Sequence, residues 1–244
     1  MRTFELSEPY ARVNGLPLTS LQVSSSLVVP WRSATIRSDA LQGQVSCIAG
    51  YRGKGEWPVF QGLVDSPESD VLGTGHAVAR GLHEWRKVLP AQSFQDPDLQ
   101  TVLQFVAAQC SGKLSSAVKG GRRRHYSYRP APAYQIVAKA LQDWAIDHVL
   151  LELDGGTLYA GPEQTSPHAQ VGVQAELVHG QNIIHLKRTS AGGFTVRTLG
   201  MPWLRIGHRI QIQHPLLTGS ARICEQHMEF SDRNTTSELR VMPL

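Results

Sequence analysis

The chain has 244 residues, 41% of them hydrophobic and 18% charged, which is enough for one large domain or two to three small ones. Its formal net charge of +4 is too small to indicate nucleic-acid binding by itself. The three cysteines, Cys47, Cys110 and Cys224, are far apart and odd in number, which argues against a disulfide framework. The sequence has no run of about twenty apolar residues, so we expect no direct membrane insertion.

The first block, residues 1–92, is predicted to consist of short strands. Asn14-Gly15 is a strong signal for a tight hairpin turn. Alternating or β-branched runs follow at residues 21–25, 34–37, 44–49, 59–65 and 76–82. About six short strands at this spacing are typical of a barrel or sandwich, so we expect a first small β-barrel here.

The middle block, residues 93–165, has a different character and is predicted to be α+β. Asp96 is expected to cap a helix, with Pro97 in its first position and Gly112 just after its end. A second helix is expected after Pro132. The predicted apolar stripes are Leu99, Val102, Leu103, Val106 and Ala107 on the first helix, and Tyr134, Val137, Ala138, Leu141, Trp144 and Ala145 on the second.

Two shorter β elements complete the prediction for the middle block. Residues 125–128 (HYSY) are predicted to form a strand, and residues 149–159 a hairpin that turns at Asp154-Gly155-Gly156. The block is therefore expected to be a two-helix α+β module inserted between two all-β blocks.

The last block, residues 166–244, is predicted to form a second β-barrel. Its clearest strand is residues 208–214, where Ile210 and Ile212 alternate with Arg209, Gln211 and Gln213. Further strands are expected at 171–175, 182–186, 194–199, 221–230 and 237–241. The final strands could instead return to complete the first barrel. The predicted fold is thus mainly β with an α+β insert: two small antiparallel β-barrels of similar topology flanking a two-helix module.

Several segments of the chain resemble segments of one known protein family, and they occur in the same order as in that family. One is a turn of the form G-x-P-x-L-x-x-G-x-x-I, which begins at Gly200, passes through Pro202, Leu204 and Gly207, and ends at Ile210. The others are residues 11–15 (ARVNG), 59–64 (VFQGLV, similar to an F-x-G-x-V strand), 96–103 (DPDLQTVL), 153–159 (LDGGTLY) and 235–241 (TTSELRV).

On these segments the chain resembles the phage tail baseplate hub proteins, the central hubs of contractile and related tails that include Mu-like and late-control protein D-like members. The resemblance implies a homotrimeric structural protein, with two barrels per chain that give six quasi-equivalent barrels in a ring. Such a ring joins a sixfold tail tube to a threefold central spike.

The same resemblance implies partners and a location. The partners would be the tail tube protein, the central spike, other baseplate proteins and the tape measure protein, with DNA passing through the lumen without specific binding. The location would be the virion tail baseplate, and the host cytoplasm during assembly.

Metal-ligating residues are present but poorly arranged. Cys224 and His227 have C-x-x-H spacing, and Cys47, Cys110 or His214 could complete a site. The two lie at positions of opposite parity, however, so they face opposite sides of a regular strand. His208 and His214 are better explained as strand-end residues, and we expect neither a metal nor a cofactor.

The basic run Arg122-Arg123-Arg124 suggests an alternative function. With Tyr126 and Tyr128 as stacking platforms, it could bind nucleic acid on a small-barrel protein. The favoured interpretation is a solvated turn or a contact with an acidic partner subunit. No Gly-x-Ser-x-Gly, P-loop or His-Glu-x-x-His motif occurs, so we expect no catalytic residue and no enzymatic activity.

Overall fold

The computed structural model describes residues 8–37, 41–69, 75–190, 192–231 and 234–244. These residues form mainly strands, with three α-helices. The first seven strands are β1 (Pro9–Val13), β2 (Leu16–Pro17), β3 (Ser20–Ser26), β4 (Ser33–Arg37), β5 (Gln44–Tyr51), β6 (Gly55–Ser69) and β7 (Gly75–Arg80). The middle of the chain contains β8 (Val88–Leu89), β9 (Gln92–Gln95), α1 (Leu99–Cys110), β10 (Lys113–Ser115), β11 (His125–Tyr128), β12 (Ala131–Pro132), α2 (Ala133–Asp143), β13 (Val149–Leu153), β14 (Thr157–Gly161) and α3 (Pro167–Gln170). The last six strands are β15 (Ala175–Val178), β16 (Ile183–Arg188), β17 (Phe194–Leu199), β18 (Arg209–His214), β19 (Leu217–Ser231) and β20 (Thr235–Pro243).

These elements belong to two compact units. The β unit contains the described residues of 1–26, 32–81 and 171–244, and the α+β unit contains residues 27–31 and 82–170. The α+β unit thus begins at residue 82, where the sequence suggested 93, and it includes a short segment from the N-terminal part. The assignment of residues 1–92 and 166–244 to two separate barrels stays a prediction.

One sheet of thirteen strands forms the β unit. Its order is β16-β17-β20-β19-β3-β4-β7-β6-β5-β1-β2, with β18 paired to β19 and β15 paired to β18. The β15–β18 pair is parallel and the other pairs are antiparallel. A single isolated bridge, which is not a ladder, joins His179, the residue after β15, to Ile183 at the start of β16. Among the described strands, therefore, the ladders do not close into a barrel.

The long strand β19 connects the N-terminal and C-terminal strands. Its first half pairs with β18 and its second half with β3, while β20 runs along its other side. A β-bulge at Cys224, between Ile223 and Glu225, separates the two halves. Ile223 is buried before the bulge and Met228 and Phe230 are buried after it, so the bulge changes which parity faces inward while the same side of the sheet stays buried.

Met228 and Phe230 belong to the core of the N-terminal strands. They pack in one buried cluster with residues of β1, β3, β4, β5, β6 and β7, among them Leu21, Ile36 and Phe60. The option that the final strands return to the first block therefore describes the second half of β19. The sequence also predicted the Asn14-Gly15 turn correctly: both residues have positive φ, and they connect β1 to β2.

The C-terminal strands bury alternate residues, as the sequence predicted for β18. Ile210 and Ile212 are fully buried, whereas Arg209 and Gln213 are exposed. The predicted strand at 171–175 was wrong, because Val171 and Val173 are exposed and lie before β15. Their alternation is in the sequence, but none of the ladders among the described strands includes them.

In the α+β unit, the predicted first helix is confirmed with a different cap. Asp98, not Asp96, is the N-cap, and its carboxylate accepts a hydrogen bond of 2.7 Å from the Thr101 N–H. Asp96 cannot take this role because its backbone is left-handed, with φ of 47°. The helix ends at Cys110, and the Gly112 N–H closes it by donating to the Ala107 carbonyl.

The second helix buries a stripe shifted from the predicted one. Ile136 and Ala140 are buried, where the sequence suggested Tyr134 and Ala138, and Ala145 is exposed. The stripe packs in one cluster with α1 and with Leu158 and Ala160 of β14. The hairpin of β13 and β14 has its predicted turn, and β11 pairs with β9. None of the helices in the described part of the chain has the length and apolar character of a membrane span.

Candidate assembly surfaces

The loop at residues 200–208 links distant strands of the β unit through Arg205. The side chain of Arg205 is buried, and its guanidinium donates to the carbonyls of Pro202 at 2.6 Å and Leu204 at 2.7 Å. It also donates to the carbonyl of Pro58 in β6. The His208 Nδ1 accepts from the Arg205 N–H at 3.2 Å, so this histidine is a buried loop contact.

Two aromatic contacts hold the same loop. The Tyr51 hydroxyl donates to the Gly200 carbonyl at 2.5 Å, and burial raises the pKa of Tyr51 to about 12. The Trp57 and Trp203 rings lie 5.1 Å apart. A Cβ on Gly200 would lie 1.9 Å from the Thr235 Cγ2, so any larger residue here would force the buried Thr235 side chain to shift. The turn that the sequence analysis singled out therefore holds β6 and the C-terminal strands together, and Arg205 and Tyr51 are the contributing residues that sequence reasoning missed.

The basic run lies in the α+β unit, in the loop before β11. Arg122, Arg123 and Arg124 are exposed. Arg123 has internal contacts: its guanidinium lies 4.6 Å from the centre of the Trp144 ring and donates to the Asp143 carbonyl. Partner contacts by Arg122 and Arg124 stay a prediction.

Tyr126 does not offer an exposed ring. Its exposed fraction is 5%, and its ring meets Trp144 edge-on at 4.8 Å. Burial, followed by the Asp143 carboxylate, raises the pKa of Tyr126 to about 12. Tyr128 is 8% exposed. Both rings therefore belong to the core, and a base could not stack on them without local unfolding.

The candidate metal ligands do not converge. Cys47 and Cys110 are buried in the cores of different units, and burial raises the pKa of the Cys47 thiol to about 12. Cys224 lies at the bulge of β19, and His227 Nδ1 lies 2.8 Å from the Ser24 hydroxyl. Within the described part of the chain, no group of three or more His, Cys, Asp or Glu side chains is placed to hold a metal ion.

Among the comparisons with known proteins, only the one with solved structures found matches, and it identifies the fold. No family model matches the sequence, and no curated protein matches it. Among solved structures, the 43 kDa tail protein of prophage MuSo2 from Shewanella oneidensis is 11% identical with a TM-score of 0.69, covering 98% of this chain and 97% of that one. A tail protein from Neisseria meningitidis is 12% identical with a TM-score of 0.71, covering 97% and 96%.

A third similar structure comes from Escherichia coli. It is described as a component of the type VI secretion system with structural similarity to the T4 bacteriophage tail proteins gp27 and gp5. It is 9% identical with a TM-score of 0.64, and the match covers 96% of this chain and 76% of that one. Taken together, these matches show that the chain has, over nearly its whole length, the mainly β fold found in phage tail proteins.

Proposed function

We propose that this chain is a structural phage tail protein that acts as the central hub of a baseplate. The observation that carries the proposal is the likeness to two tail proteins over 96% or more of both chains. The neighbours are described as tail or secretion-system components, which supports a role in assembly without catalysis.

The β unit suggests how one chain could present two quasi-equivalent faces. The strands before and after the α+β unit are joined by β19, whose two halves pair with different neighbours. In the proposed hub each set of strands occupies one of six positions in a trimeric ring. The ring then joins a sixfold tail tube to a threefold spike, in the virion baseplate, and DNA passes through its lumen.

The test is the mass of the purified protein, measured by light scattering during size exclusion, followed by electron microscopy of the main peak. We expect a mass three times the 26.9 kDa of the chain and ring-shaped particles with apparent sixfold features. A dimer, or a monomer that persists at the highest soluble concentration, would contradict the trimeric ring.

Nucleic-acid binding is the weaker alternative. Its stacking platforms, Tyr126 and Tyr128, are buried, and Arg123 is bound to Asp143 and Trp144. If purified protein retarded single-stranded DNA at physiological salt with affinity that fell steeply as salt rose, this alternative would replace the hub proposal.

A further inference from the structure

The two-stranded ribbon of β9 and β11 presents a polar, basic face. In its register His125 lies opposite Gln95 and Ser127 lies opposite Ser93, and all four are exposed. Tyr126 and Tyr128 point the other way, into the core of the α+β unit. The ribbon therefore separates a buried aromatic side from an exposed side made of hydroxyl, amide and imidazole groups.

Positive charge is concentrated around this face. Lys119, Arg122 and Arg124 are exposed in the loop before β11, and Arg129 is exposed directly after it. Three carboxylates lie near the ribbon: those of Asp96 and Asp98 at its loop end, and that of Asp143, which lies near Tyr126 and pairs with Lys139. The Asp98 carboxylate accepts the Thr101 N–H, which lowers its pKa, so it serves first as a helix cap. Positive groups thus outnumber negative ones around the exposed face.

The backbone of β11 uses only one of its two edges for pairing in the described structure. Its ladder is with β9, and among the described residues no strand pairs with its other edge. The Asp96 N–H donates to the Arg124 carbonyl, so residue 124 faces β9. Because backbone groups alternate in antiparallel pairs, Tyr126 also faces β9, and the N–H and C=O of His125 and Ser127 point toward the open edge.

An unpaired strand edge with positive charges at both ends favours an extended partner that carries negative charge. Edges of this kind accept an extended chain through main-chain hydrogen bonds, while flanking side chains set the preference. Four residues of β11 span about 13 Å, which matches a short peptide strand. Nucleic acid fits less well, because the neighbouring rings are buried and cannot stack on bases.

We propose that the open edge of β11 binds an extended acidic segment of a partner protein, which pairs with the backbone of His125 and Ser127 and sets its carboxylates beside Arg122, Arg124 and Arg129. The proposal goes beyond the hub role and does not depend on a trimeric ring.

The first experiment uses a fluorescein-labelled heptapeptide of alternating Glu and Thr as the probe, with fluorescence anisotropy as the readout. The comparison ligands are the same peptide with Lys in place of Glu, and a ten-nucleotide oligothymidine. We expect saturable binding of the acidic peptide that weakens with salt, and at least tenfold weaker binding of the basic one. Tighter binding of oligothymidine than of the acidic peptide would overturn the proposal in favour of nucleic acid.

The second experiment locates the site. Arg122→Glu combined with Arg124→Glu should weaken acidic-peptide binding at least tenfold, because two attractive contacts become repulsive. The matched control is Lys54→Glu with Arg188→Glu, an equal charge change on exposed residues of the β unit. The control should stay within about twofold of the unchanged protein. Equal losses in both variants would mean that binding follows net charge, and the ribbon would be excluded as the site. Circular dichroism checks that both variants are folded.

The third experiment separates strand pairing from simple charge attraction. A version of the acidic heptapeptide with N-methyl groups at alternate residues keeps every carboxylate but loses the N–H groups of one edge. We expect it to bind at least tenfold more weakly. If the two peptides bind equally well, strand addition at β11 is wrong.

Discussion

The two units of this chain build their cores from very different distances along the sequence. In the α+β unit, the core draws mainly on residues 82–160, so the contacting helices and strands are close neighbours in the chain. In the β unit, residues 11–79 share one core with Met228 and Phe230. The β unit therefore bears a larger loop-closure cost, and its N-terminal strands depend on β19 in a way that the α+β unit does not.

The largest effect expected from this difference comes from Phe230→Ala. It removes a buried ring from the core of the N-terminal strands and should destabilise the β unit by about 3–5 kcal/mol. Hydrogen exchange followed by mass spectrometry should show faster exchange in β3, β4 and β19, with α1 unchanged. Leu103→Ala in α1, a fully buried side chain in the core of the α+β unit, is the matched control and should show the reverse pattern. Equal acceleration of both units in either variant would contradict their independence.

Arg205→Ala should follow, at about 3 kcal/mol, because three carbonyls lose a charged donor in a buried loop. Chemical denaturation should show the loss, and exchange should rise in the 200–208 loop and around Pro58. Arg209→Ala removes an exposed arginine four residues along and should change stability by less than about 0.5 kcal/mol. If Arg209→Ala lowered stability as much, the loss in Arg205→Ala could not be attributed to its three hydrogen bonds to buried carbonyls.

Asp98→Ala should cost about 1 kcal/mol, because the N-cap of α1 loses the bond to Thr101. Exchange should accelerate in the first turn of α1, with the β unit unaffected. Asp96→Gly removes the carboxylate that the sequence suggested as cap while keeping a left-handed backbone free of strain, and it should leave that turn unchanged. If it also accelerated exchange in the first turn of α1, the assignment of Asp98 as the cap would be in doubt.

The smallest effect should be a pH dependence in the β unit. Burial, followed by His179 and His185, lowers the pKa of His214 below 6.5. The unfolded chain then takes up a proton before the folded one, so this contribution is complete above about pH 6.5 and is lost as the pH falls below it. The midpoint temperature of thermal unfolding, measured from pH 7.5 to 5.0, should therefore fall less steeply in His214→Asn than in the unchanged protein. An unchanged slope would mean that His214 does not contribute.

The sequence predicted most elements where local signals are strong. The Asn14-Gly15 turn, the C-terminal end of α1, the alternation of β18 and the β13–β14 hairpin all depend on neighbouring residues, and all are confirmed. The cap of α1 was placed two residues early because Asp96 and Asp98 both flank Pro97, and composition alone does not tell which backbone turns left-handed.

The rest depended on tertiary contacts that leave little local trace. Nothing in the sequence around Arg205 distinguishes it from exposed arginines, since its partner in β6 is 147 residues away. The burial of Tyr126 follows from Trp144 and the helix behind it, and so the proposed stacking surface could not be tested from the sequence. The unpaired edge of β11 likewise follows from the pairing of the strands, which the sequence alone does not show.

The bulge at Cys224 makes the length of β19 less constrained at this residue than along the rest of the strand. Ile223 lies opposite Val241 and Glu225 lies opposite Arg240, the neighbouring residue of β20, so Cys224 is the extra residue of the bulge. Deleting it would restore a regular ladder and leave Met228 and Phe230 facing inward. Deleting a regularly paired residue farther along, such as His227, would instead shift Met228 and Phe230 by one position and turn them outward. In descendants of this chain, loss of residue 224 should therefore be tolerated, whereas an insertion or deletion farther along β19 should persist only with a second one that restores the count.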